Sequence, residues 1–139
     1  CLTFALDRMK EVTPMPALKY VPYDGDIYEY FDDIIGVTLY DGRPIMHIEF
    51  WADDLETSYI LTKPLHDSQK HYQGEKEQAF RNAHPQLSGG AFFSIDCIEN
   101  YELIRELCSY GDGLVILSPS KLREQIKERI SKMGKRYEI

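Results

Sequence analysis

Apolar and polar positions recur along this chain with periods that predict a succession of short elements. Residues 2–12 alternate as one strand, with Leu2, Phe4 and Leu6 on one face and Thr3 and Ala5 on the other. Pro14 and Pro16 break that pattern. Residues 15–31 are rich in Pro, Tyr, Asp and Gly, with a turn signal at Tyr23-Asp24-Gly25, and read as a linker. Its aromatic residues Tyr20, Tyr23, Tyr28, Tyr30 and Phe31 predict that it packs on another surface. Residues 34–39 form a short apolar run expected to be a strand, followed by a turn at 40–44. Residues 45–51 alternate cleanly, Met46, Ile48 and Phe50 inward and His47 and Glu49 outward.

A helical pattern over 52–63 starts at Asp53 or Asp54, aligns Leu55, Tyr59 and Thr62, and stops at Pro64. Residues 66–73 read as a polar edge strand, and 75–90 as a long hairpin connection with weak structure. Residues 91–98 are a strand with Phe93, Ile95 and Cys97 on one face. Asn100 then caps a helix reaching about Tyr110, with Tyr101, Ile104, Leu107 and Cys108 on its buried side and Gly111 and Gly113 at its end. Residues 114–117 have no polar face, so both of their sides should be covered. Ser118 as N-cap and Pro119 at the first helical position open a last helix, along which Leu122, Ile126, Ile130 and Met133 share a stripe.

From residue 45 the order is strand, helix, strand, strand, helix, strand, helix. This predicts an α+β fold, a ferredoxin-like βαββαβ sandwich with an extra C-terminal helix, preceded by a strand and linker. The extra helix is expected across the other face of the sheet or against a partner subunit.

Composition sharpens the picture. The 139 residues, 43% hydrophobic and 28% charged, suffice for one domain with a real core. The net charge of −7 argues against binding DNA phosphates by bulk charge. That charge is unevenly spread: residues 121–139 carry seven basic against three acidic side chains, +4, leaving −11 for the rest. The tail is either a solvated helix face or a basic contact surface for a polyanion or an acidic domain. Cys1, Cys97 and Cys108 lack metal-site spacing, and the last two lie in apolar patterns where thiols act as small hydrophobes. Neither a signal peptide nor an apolar run of membrane-spanning length is evident, so a soluble, cytoplasmic protein is expected. The opening Cys1-Leu2-Thr3-Phe4, apolar and without Met, predicts a piece of a longer protein.

Catalytic and metal chemistry find little support. His47, His66, His71 and His84 show no regular ligand spacing. Asp53, Asp54 and Glu56 suit a helix start better than a carboxylate pair. Ser94 and Ser118 have no His and acid arranged as a triad, and Gly89-Gly90 and Gly111-Asp112-Gly113 lack the lysine of a phosphate loop. No enzyme activity and no cofactor are expected.

Three stretches together resemble a known family. Phe4-Ala5-Leu6-Asp7-Arg8-Met9 resembles the segment that closes a WYL domain. The pair Asp33-Ile34-Ile35-Gly36-Val37 and Pro64-Leu65-His66-Asp67-Ser68-Gln69, and then Asn100-Tyr101-Glu102-Leu103, Tyr110-Gly111 and Val115-Ile116-Leu117-Ser118-Pro119 with Leu122-Arg123, resemble its C-terminal extension, the WCX domain, in order and spacing. The resemblance divides the chain into 1–13, the terminal strand of a truncated WYL domain, 14–32, a linker, and 33–139, a WCX-like domain. It implies a regulatory, dimerisation and effector-contact domain of a bacterial WYL transcriptional regulator. The helix-turn-helix and most of the WYL domain, with the DNA-reading residues, would lie upstream; Trp51 is followed by Ala52 and Asp53, so the Trp-Tyr-Leu triplet is missing. Implied partners are a second copy, those upstream domains and a nucleic-acid or nucleotide effector, with operator DNA reached only through the upstream domain and no membrane.

Arg123, His66 and Gln69 are the candidate effector or interdomain contacts. Arg123 either pairs with Glu102 or Glu106 or faces a neighbouring subunit and an anionic effector. His66 and Gln69, with Ser68, either bond exposed backbone in a turn or meet a ligand. The rival reading is a free-standing small-molecule-binding module on the same fold.

Overall fold

The structure, a computed structural model, describes residues 4–139. Two eight-residue strands dominate it: β1 (Ile45–Ala52) and β3 (Ala91–Ile98) pair antiparallel from Ile45 opposite Ile98 to Ala52 opposite Ala91. β2 (Lys70–Tyr72) flanks β3 and β4 (Leu114–Ser118) flanks β1, so the sheet order is β2-β3-β1-β4. The helices are α1 (Asp54–Thr62), α2 (Gly74–Ala83), α3 (Tyr101–Ser109) and α4 (Ser120–Arg136). This is the ferredoxin-like sandwich, with α2 inserted between β2 and β3 and α4 added after β4.

Alternation along β1 and β3 divides the sheet into two faces. Ile48, Phe50, Phe93 and Ile95 point to one and are fully buried, with the Phe50 and Phe93 rings stacked 5.4 Å apart. Ile60 of α1, Leu103, Ile104 and Leu107 of α3 and Leu122 of α4 close over them. Trp51, Phe92 and Tyr72 point to the other face, where Phe80 of α2 lies against them. β4 serves both, Leu114 and Ile116 in the first cluster and Val115 and Leu117 in the second, as its wholly apolar sequence predicts.

Several local expectations are corrected. Part of the strand expected over 2–12 lies outside the described residues; from Phe4 onward the chain makes a single 3-10 turn, Leu6–Arg8, with Phe4 and Leu6 exposed. Residues 34–39 form no strand either. β4 pairs only with Glu49–Ala52 of β1, and this stretch, instead of adding a strand beside Ile45–Ile48, closes the end of β3, where the Asp33 carbonyl accepts from Ile98 N–H at 2.7 Å. The strand expected over 66–73 shrinks to β2.

The weak connection expected over 75–90 holds α2, a helix that periodicity misses because Phe80 is its one large apolar residue. Glu75 and Glu77 suit its N-terminus, and an ion pair from Arg81 to Glu77 at 2.8 Å braces its half-buried side, where Arg81 also donates to the Gly89 and Gly90 carbonyls. Phe80, stacked on Tyr72 at 5.2 Å and Phe92 at 5.4 Å, supplies the tertiary anchor.

The phases of the other helices differ too. Asp53 caps α1 by accepting from Glu56 N–H, and the resulting phase buries Ile60 while Leu55, Tyr59 and Thr62 stay exposed. On α3 the buried residues are Leu103, Ile104 and Leu107, with Tyr101 and Cys108 outside. Ser118 does not cap α4: it ends β4 and its hydroxyl donates to Glu49 at 3.1 Å, Pro119 taking the N-cap position. α4 packs on the same face as α1 and α3; the helix across the other face is α2.

Gly90 marks the tightest backbone approach. It has φ +59°, and a Cβ there would lie 1.9 Å from the Ala52 carbonyl oxygen, whereas one on Gly42, φ +77°, would meet nothing within 4 Å. Gly90→Ala is therefore expected to cost about 3 kcal/mol or more and Gly42→Ala about 1 kcal/mol, read from urea unfolding. Equal losses at the two sites would show that the contact with Ala52 is not what constrains Gly90.

Candidate interaction surface

A clamp at the start of α3 sets the local geometry. Asn100, 2% exposed, accepts from Leu103 N–H at 2.8 Å as the helix N-cap. Its amide also donates to the carbonyls of Ile35 at 2.8 Å and Thr38 at 2.9 Å. Two residues on, Glu102 accepts from the Thr38 hydroxyl at 2.7 Å and Val37 N–H at 3.3 Å. Burial pushes the Glu102 carboxyl pKa up, but these hydrogen bonds outweigh it, and the net shift is downward. Gly36, φ +77°, lies on the Glu102 side chain, where a Cβ would be 2.5 Å from Cγ. The clamp delivers the following turn to α3: Arg43 donates to the Glu99 carbonyl at 2.9 Å and its guanidinium sits 3.8 Å from the centre of the Tyr40 ring.

Between α3 and α4 lies a groove made of two adjoining hollows that share Cys108, Arg129 and Met133. One, of about 310 Å³, is apolar and reaches down to Leu107 and Ile116. The other, of about 670 Å³, is rimmed by Arg43, Arg129, Lys132 and Arg136, with Glu99 and Glu128 also in its lining, a net basic edge. The groove exists because α4 outruns the core. Leu122 and Ile126 seat its first half, but of residues 127–136 all except Gly134 are exposed, including Ile130 (61%) and Met133 (56%). The apolar stripe predicted for α4 is thus half core and half open surface. Lys132 is paired with Glu128 at 2.7 Å, whereas the guanidiniums of Arg129 and Arg136 have no ion-pair partner among the described residues.

The candidate contacts named from sequence lie elsewhere and do not come together. Arg123 is half-buried and donates to the Ile116 carbonyl of the edge strand β4 at 2.6 Å; Glu102 is occupied by residues 37 and 38, and Glu106 by the Tyr110 hydroxyl at 3.3 Å. His66 bonds the Ser68 hydroxyl at 2.7 Å and the Asp32 carbonyl at 2.6 Å. Gln69 accepts from Leu65 N–H at 3.0 Å and donates to the Ile60 carbonyl at 3.1 Å. In this structure all three bond backbone groups. Sequence patterning missed the groove because its rim joins Arg43 to residues more than eighty positions away; the basic excess in the tail was the available signal.

The middle of the second sheet face, beyond α2, is polar. His47 bonds Asp96 at 2.7 Å and approaches the Tyr72 hydroxyl at 3.3 Å; Glu49 accepts from Tyr72 at 2.8 Å and from Ser118. The Tyr72 hydroxyl pKa is raised, by burial first and then by Glu49 beside it, against opposing hydrogen bonds. Among the described residues no group of three or more His, Cys, Asp or Glu is placed to hold a metal ion. Cys97 is buried, its thiol pushed up to about 12 by desolvation and then by the Asp96 charge, while Cys108 is exposed, against expectation. No helix among the described residues is long and apolar enough to cross a membrane.

Fold and surface together define a ferredoxin-like domain with an inserted helix and an overhanging basic one. The WCX domain model matches residues 64–134, half of the chain, and the protein belongs to the WCX domain family. A comparison with curated proteins finds no match.

Because the native Glu102 pKa lies below its ordinary value, the carboxylate contributes stability that is fully present above the ordinary value and is lost as pH falls through the native one. Glu102→Gln is therefore expected to be less stable than the parent near pH 7, with the gap closing under acid. A gap that stays constant down to pH 3 in urea titrations would mean that the charge plays no part in the clamp.

Proposed function

We propose that this WCX domain is the assembly and effector-contact end of a helix-turn-helix WYL transcriptional regulator, with a regulatory and not a catalytic role. The uncovered half of α4 carries the reading. The helix has 17 residues, but its core contacts end at Ile126. The remainder presents Ile130 and Met133 among Arg129, Lys132 and Arg136, an apolar strip inside a cationic rim of the kind subunit and domain contacts use.

The resemblance of residues 4–9 to the end of a WYL domain supports the same reading. In such a protein, operator DNA is read upstream, and the acidic body of this chain keeps clear of it. The regulator works in the cytoplasm and dimerises, and an anionic effector, a nucleic acid or nucleotide, meets the basic surface. Arg123, His66 and Gln69 then act by holding the edge strand and the loop after α1 in place. A second reading, a free-standing small-molecule-binding module, draws on the apolar hollow between Leu107, Ile116 and Met133; a thermal shift with a neutral metabolite but none with oligonucleotides would favour it.

The expected mass of the 139-residue chain in light scattering after size exclusion is twice its 16.2 kDa. A monomer throughout the concentration range would remove the assembly role. In a gel shift at low salt the same chain should form no sequence-specific complex with duplex DNA; such a complex would contradict the upstream placement of DNA reading.

A further inference from the structure

The arm that precedes the clamp has the properties the groove lacks. Residues 20–31 contain Tyr20, Val21, Tyr23, Ile27, Tyr28, Tyr30 and Phe31 together with Asp24, Asp26 and Glu29, and no basic residue. Tyr20, Val21 and Tyr28 are 86%, 82% and 85% exposed. An apolar segment this open costs free energy in water unless something covers it. The root of the arm is fixed: the Asp32 carbonyl is held by His66, that of Asp33 by Ile98 N–H, and Ile34 is buried. The groove takes Tyr40 and Arg43 from the chain just past this root, but none of its lining comes from residues 20–31 of the same copy.

We infer that the acidic, aromatic segment 20–31 of one copy lies in the basic-rimmed groove between α3 and α4 of a second copy, and reciprocally, forming an arm-exchanged dimer. The chemistry is complementary: Asp24 and Glu29 are free to meet Arg129 and Arg136, and the exposed tyrosines to cover Ile130 and Met133. The dimensions agree. Residues 20–25 drawn out reach about 20 Å, residues 26–31 turning helically with Tyr30 N–H on the Asp26 carbonyl, while the overhanging ten residues of α4 run about 15 Å. A twofold exchange of this kind uses each arm and each groove once and closes on itself. The inference rests on the proposal that the domain assembles, and specifies the surface.

Charge reversal tests it, using exposed positions that make no structural hydrogen bond. One chain carries D24K and E29K, the other R129E and R136E; circular dichroism should show both folded as the parent. Each alone is expected to dimerise about tenfold or more weakly than the parent. Mixed in equal amounts, they should recover a heterodimer of near-parental affinity, because both exchanged contacts again pair opposite charges.

Full dimerisation of either variant alone would overturn the inference while leaving assembly intact, and so would two monomeric variants that stay apart on mixing. A parent chain that is monomeric at every concentration would overturn both. A monomeric parent in which D24K/E29K alone changes the fluorescence of the arm tyrosines would place the arm in its own groove, also against the inference.

Discussion

The pairing of β1 with β3 over eight residues is the interaction on which the rest of the domain depends. Each strand exposes apolar side chains on both faces in at least part of its length, so the pair cannot exist without two layers of cover. Fully buried Phe50, Phe93, Ile48 and Ile95 each contribute about 1.5–3 kcal/mol of transfer free energy on the helix face. That face is closed by α1, α3 and the first half of α4. The opposite face is apolar along the row Tyr72–Phe92–Trp51–Val115 with Leu117 beside it, where α2 supplies Phe80, and again at the far end in the pair Ile45 and Ile98. Between these the strands turn polar: His47, Glu49 and Asp96 take the positions that would otherwise leave apolar surface in water. The network they form with Tyr72 and Ser118 satisfies its members in place and leaves no helix to be explained there.

Much of this was legible in the chain. The strands β1 and β3, their inward residues, the two-faced β4 and the Asn100 cap all follow from period-two alternation and side-chain chemistry, because tertiary structure demands there what the local pattern offers. The misses have a common cause. α2 has one anchoring aromatic, so its stability comes from Phe80 meeting rings contributed by β2 and β3, which no local period encodes. α1 is apolar on more than one side, and the cap at Asp53 decides that Ile60 and not Leu55 or Tyr59 faces the core. Residues 34–39 look like a strand, but Asn100 and Glu102, more than sixty residues away, hold them in a loop. The groove was the least legible feature, since Arg43 and Arg136 meet only when the clamp and the α3–α4 packing are both in place.

α4 shows how one helix can serve two purposes along its length. Its first half adds Leu122 to the core and lets Arg123 occupy the Ile116 carbonyl on the edge strand, a bond that discourages another strand from pairing there. That covers one carbonyl of the β4 edge; the opposite edge of the sheet is the three-residue β2. Further along the helix core packing ends, and apolar and cationic side chains continue together in the open.

The charge distribution bears on the same point. A chain whose acidic excess lies outside its last nineteen residues, with a compensating basic cluster on one projecting helix, is electrically a dipole with an accessible positive end. Such a molecule repels copies presented body to body and attracts them tail to body, so electrostatics selects orientation before any contact is made. Apolar strips on both the arm and α4 then supply the short-range term that long-range attraction lacks. Neither alone suffices: exposed ion pairs are worth at most about 1 kcal/mol each, and exposed aromatics without charge would associate with little selectivity. Their coincidence on two separate segments, while the core between them is already complete, is what makes a directed contact the economical explanation of both.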